Sequence, residues 1–130
     1  MYSIVSAQPG DTVSVQLFPG GRHEGIVDRE GFIIARSRRF GGITRVAPSV
    51  FSGGRLRHNH GYIGVLSRHE TLARAEARIG EPGYDVLTRN CIHFVNEVNG
   101  LPRTARLDET LTSLPRLHDI ARLLTRRRLW

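Results

Sequence analysis

The chain has 130 residues, 39% of them hydrophobic and 24% charged, and its nineteen basic against twelve acidic residues give a net charge of +7. That length fits one compact domain, the apolar share argues against a disordered chain, and a single cysteine, Cys91, excludes an intramolecular disulfide. No run approaches the roughly 18 apolar residues of a transmembrane helix, and the start, MYSIVSAQPGDTV, has neither a basic nor an apolar signal-peptide region, so a soluble protein, cytoplasmic or delivered as an effector, is expected.

The first half reads as strands and turns. Val13 to Leu17 alternates apolar and polar residues between Pro9-Gly10-Asp11 and Pro19-Gly20-Gly21, the pattern of a half-buried strand. His23 to Val27 and Phe32 to Arg36 follow as a hairpin around Asp28-Arg29-Glu30-Gly31, and Ile43 to Val46 forms a further run after Phe40-Gly41-Gly42. The centre is looser, with Ser52-Gly53-Gly54 and His58-Asn59-His60-Gly61 around a short Tyr62 to Leu66 segment.

Helical spacing begins near His69. Leu72, Ala75 and Ile79 share one face, and Gly80 and Pro82 supply the stop. In the second helix Asn90 is the N-cap, Cys91, Phe94, Val95 and Val98 share a face, and Asn99-Gly100-Leu101-Pro102 ends it. From about Ser113, Leu117, Ile120, Ala121 and Leu124 mark an amphipathic basic helix ending in Arg126-Arg127-Arg128. The division expected is a catalytic domain over 1–104 and a helical extension over 105–130 packed on it.

Cys91 therefore falls in the first turn of a helix. A cysteine on an apolar helix face is commonly a small core residue. The first turn, however, offers unpaired N–H groups and the positive end of the macrodipole, which favour a thiolate and can receive an oxyanion. A nucleophile also needs a base. His93 lies two residues on, a rotation of about 200°, and so points away from Cys91. His58 and His60 flank Asn59 in a three-residue resemblance to a nuclease motif, without the surrounding metal-site context. His69 and His118 lie on helix surfaces. His23, inside a strand and two positions before Gly25, is the preferred base.

The order Pro9-Gly10-Asp11, His23-Glu24-Gly25-Ile26-Val27, Phe40-Gly41-Gly42-Ile43, Gly80-Glu81 with Tyr84-Asp85 and Leu87, then Asn90-Cys91-Ile92-His93-Phe94-Val95, resembles the lecithin retinol acyltransferase-like family. The resemblance implies an α+β fold, a small antiparallel sheet packed against helices, in the circularly permuted papain-like (NlpC-type) arrangement. It also implies Cys91 as nucleophile and His23 as base, with Asn90 and Cys91 at the helix cap and oxyanion site, and no cofactor or metal. The family's third polar residue, commonly a histidine, aligns with Ala35, and the usual acidic residue after the cysteine is Ile92. A backbone carbonyl, Arg36 or Ser37 is left to orient the ring.

The chemistry implied is attack of the Cys91 thiolate on an ester, thioester or amide of a lipid, peptide or thioester substrate. The resulting acyl-enzyme is then hydrolysed or transferred, as in an amidase, peptidase or lipase-like enzyme. The alternative is a catalytically weak or inactive member that binds a polyanion, either nucleic acid or anionic lipid. Its supports are the all-arginine basic set, the run Arg36 to Arg39, and Arg126, Arg127 and Arg128 beside Trp130. An arginine-favouring genome explains the same composition.

Overall fold

Period-two apolar patterning builds a sheet whose strands lie where the sequence puts them. In the computed structural model, which describes residues 7–18, 21–85 and 90–106, β1 spans Thr12–Phe18, β2 Gly21–Val27, β3 Ile33–Ser37 and β4 Gly42–Val46. A fifth strand, β5, spans Arg57–Gly61, and the helices among the described residues are α1 (Pro48–Ser52), α2 (Arg68–Ala77) and α3 (Cys91–Val98). Every pairing is antiparallel and the strand order is β4-β3-β2-β1-β5, so the class is α+β. The basic helix expected over Leu117 to Arg128, with His118, lies outside the described residues.

The turn between β2 and β3 is made by Asp28. Its buried carboxylate accepts the backbone N–H groups of Glu30 and Phe32, each at 2.9 Å, and Gly31 follows at φ +85°. This short acidic side chain closes the turn through its own backbone, and Arg45 of β4 neutralises its charge.

Side chains alternate across the sheet and make two cores. On one face Ile26, Ile34 and Ile43 pack against Leu72 and Ala75 of α2 and Phe94, Val95 and Val98 of α3. On the other, Val13, Val15, Val27, Ile33 and Ala35 pack against Phe51 of α1. Gly25 permits the second packing, since a Cβ there would lie 2.5 Å from Ile33 Cγ2 and 3.1 Å from the Phe51 ring.

Three elements differ from the sequence expectation. β5 takes up the His58-Asn59-His60 stretch because it is an edge strand whose polar side chains find partners: Asn59 donates to the Asp11 carboxylate at 3.2 Å, and His60 Nε2 lies 2.6 Å from Ser14 Oγ. The Tyr62 to Leu66 segment is instead an irregular link, fixed by the Tyr62 hydroxyl donating to the Leu66 carbonyl. α1 is five residues long, too short to show helical periodicity, and begins at Pro48. Ile79 is 41% exposed and lies beyond the end of α2 rather than on its buried stripe.

Candidate active site

The loop before α3 is anchored to the sheet at Gly42. A Cβ there would lie 2.3 Å from the Glu81 carbonyl oxygen, so only glycine lets the loop approach. Ile43 N–H donates to the Glu81 carbonyl at 2.9 Å and Gly83 N–H to the Gly41 carbonyl at 2.7 Å. From β3, the buried Arg36 reaches across to the Gly83 carbonyl at 2.7 Å and pairs with Glu81. Arg78, at the end of α2, pairs with the same Glu81 carboxylate and with Glu97 of α3, which holds Glu81 down to about 2.

α3 then starts on a reciprocal cap. The Asn90 side chain accepts the His93 backbone N–H at 2.9 Å, while His93 Nδ1 accepts the Asn90 backbone N–H at 3.4 Å. This gives His93 a structural position, buried and turned toward the cap. α3 packs across β2 and β3, bringing the Cys91 sulfur 3.8 Å from the Arg22 carbonyl oxygen, with S–H as the donor.

The thiol faces a buried polar group. Glu24 is fully buried on the α3 side of β2, 2.8 Å from Arg22 Nε, and it accepts both terminal nitrogens of Arg106 at 3.0 Å each. Arg106 also donates to the Asn96 side chain of α3 at 2.8 Å and holds a left-handed backbone, φ +64°. His60 joins the edge of this group through Ser14, the cross-strand partner of Glu24; burial lowers its pKa, with Glu24 acting in the opposite sense.

His23 leaves β2 on the side opposite Glu24. It is the cross-strand partner of Val15, and its ring stacks on Phe51 of α1 with centroids 4.8 Å apart, while the Cys91 sulfur meets the backbone of β2 at Arg22 and Glu24. Ala35 lies on the His23 face, buried in the apolar cluster. Arg36 points to the opposite face and is committed to Glu81 and Gly83, so it does not orient the ring. Ser37 Oγ accepts the Phe40 backbone N–H at 3.4 Å.

Electrostatics follow burial. The first-turn position of Cys91 favours a thiolate, but desolvation wins and pushes the thiol up to about 12, against the smaller lowering from the Glu24 backbone hydrogen bond. Burial likewise brings His23 down to about 3. Burial thus favours the uncharged form of both groups.

The sequence reading assigned no role to Glu24, Ser14, Tyr84 or Arg106. Glu24 carried a signal: period two puts it opposite His23, at a position where an apolar side chain would ordinarily be buried. Among the described residues no group of three or more His, Cys, Asp or Glu side chains is placed to hold a metal ion, and no helix is long and apolar enough to cross a membrane.

No curated protein matches the chain. The family model described as Lecithin retinol acyltransferase matches residues 46–100, from the last residue of β4 through α3, a span that includes Cys91 and excludes His23. Over that segment the chain is similar to the lecithin retinol acyltransferase family.

Proposed function

We propose that the protein is a thiol-dependent acyl hydrolase or acyltransferase in which Cys91 is the nucleophile and His23 the base. The observation that carries this reading is the family match, which ends on a capped helix with Cys91 as its first residue. In the reaction the imidazole takes the thiol proton and sulfur attacks the carbonyl of an ester, thioester or amide. The leaving group departs with that proton, and the thioester is cleared by water or by an amine or alcohol acceptor. First-turn N–H groups at Cys91 would receive the oxyanion. The circularly permuted papain-like arrangement of the sheet and α3 is part of the same reading.

The Cys91 sulfur meets β2 at the Arg22 carbonyl, one residue from His23, and in this mechanism the imidazole reaches it there, at the Gly21 end of the strand. The pairing with β1 is already irregular there, between Gln16 and Phe18. A second reading is favoured by the buried thiol with its raised pKa: a catalytically weak or inactive member that binds polyanions through its arginines.

Intact-mass measurement after incubation with a panel of acyl donors separates the two. The enzyme reading expects an acyl adduct that is absent in Cys91→Ala and reduced at least about 100-fold in rate in His23→Gln. Full turnover in Cys91→Ala would overturn it. Loss in His60→Gln with retention in His23→Gln would move the base to His60. An unreactive thiol, together with nucleic-acid binding that falls steeply with salt, would establish the second reading.

A further inference from the structure

The turn after β3 and the loop before α3 enclose a cavity of about 330 Å³ lined by Arg38, Arg39, Gly41, Gly83 and Tyr84. It is unlike a larger cavity of about 450 Å³, which is lined by Arg74, Arg78 and Glu97 together with Ala77 and Val98 at the far ends of α2 and α3. There a carboxylate answers the arginines. In the smaller cavity no lining residue is acidic, and two are arginine.

The neighbouring arginines are committed elsewhere, Arg36 to Glu81 and the Gly83 carbonyl, Arg78 to Glu81 and Glu97. Arg38 is not. Its Nε is buried and has no hydrogen-bond partner among the described residues. Arg38 also lines the cavity and has no carboxylate partner among the described residues, so an anion entering there would meet a positive charge that no acidic group offsets. Arg39 adds a second positive charge at the exposed side, its guanidinium 5.1 Å from the Phe40 ring centroid.

Tyr84 connects this cavity to the thiol. It lines the cavity and interacts electrostatically with both Arg38 and Cys91; burial raises its pKa first, the Cys91 and Asp85 charges raise it further, and the Arg38 charge opposes them. Tyr84 thus lines the cavity and lies near enough to Cys91 for charge on one to be felt by the other.

We propose that the Arg38–Arg39–Tyr84 cavity is an anion subsite, which selects acyl donors carrying a carboxylate or phosphate group for reaction at Cys91. The subsite stands on its own geometry, whereas its part in catalysis rests on the acyl-transfer reading above. No bond forms or breaks at the subsite itself: Arg38 donates hydrogen bonds to the anion and fixes the distance to the sulfur.

The test uses the full chain and two matched donors, 4-nitrophenyl hydrogen succinate and the neutral 4-nitrophenyl butanoate. Cys91 acylation should favour the charged donor by more than about tenfold, as a charge-assisted hydrogen bond allows, and Arg38→Gln should remove the preference. Equal rates for the two donors, or a preference retained in Arg38→Gln, would overturn the subsite while leaving the enzyme reading intact. If neither donor acylates the thiol, the enzyme reading fails, and the subsite is judged by titrating succinate and inorganic phosphate against the Tyr84 ring resonances. Shifts that depend on Arg38 uphold it, and the tighter anion names the donor class; no shift with either anion sinks it.

Discussion

His23 carries the most consequential side-chain choice in the molecule. It is 2% exposed and faces Phe51, and burial has moved its pKa from 6.5 to about 3. The unfolded chain therefore binds a proton between these values that the folded chain refuses. Stability is fully present above pH 6.5 and falls as pH drops toward 3, by about 1.4 kcal/mol per pH unit from this group alone. Urea unfolding at about pH 7 and about pH 4.5 should show that loss in the native protein and a flatter dependence in His23→Phe. An unchanged pH dependence in the variant would mean that the ring is already solvated at rest.

At the level of elements, the contact that locates α3 lies upstream of it. The residue 80–83 loop is pinned to β4 at Gly42, whose absent Cβ lets the Glu81 carbonyl approach, and Arg36 ties the same loop to β3. Gly42→Ala cannot be absorbed by a flexible side-chain tip, since the obstructing atoms are backbone. We expect it to cost about 2–3 kcal/mol, read as a lower urea midpoint at unchanged slope, and to raise the alkylation rate of Cys91 by displacing the segment that leads to it. The strands β1 to β4 and the helix α3 were legible because each pairs a clear period with a turn or cap signal, as Asn90 does for Cys91. β5 and α1 were not: one is a polar edge strand without alternation, and the other is shorter than two helical turns.

For the whole molecule, the +7 net charge overstates how basic the surface is. Arg36, Arg45, Arg78 and Arg106 are each paired with carboxylates, and Arg36 is buried, so the Arg36 to Arg39 run is not a continuous basic strip. The pairing of Arg106 with Glu24 has a structural consequence, because it ties the chain after α3 to the middle of the sheet across 82 residues of sequence. Arg106→Ala leaves the buried Glu24 with Arg22 as its ion-pair partner among the described residues and should cost roughly 2–3 kcal/mol. Glu24→Gln in the same background should recover part of that loss, and a double-mutant cycle in thermal unfolding measures the coupling. No recovery would mean that Arg106 acts through Asn96 and its own backbone turn instead.

Strand positions, the capped helix bearing Cys91 and the similarity to an acyltransferase family were all written in the sequence, because each rests on spacing between residues close together in the chain. Facing was not. Period two shows that His23 and Glu24 leave β2 on opposite sides, but which side receives α3 depends on how Ile26, Ile34 and Ile43 meet Phe94, Val95 and Val98. That packing is a long-range hydrophobic choice. It set the thiol beside Glu24, put His23 against Phe51, and left one buried arginine edge open to a cavity that no local pattern announces.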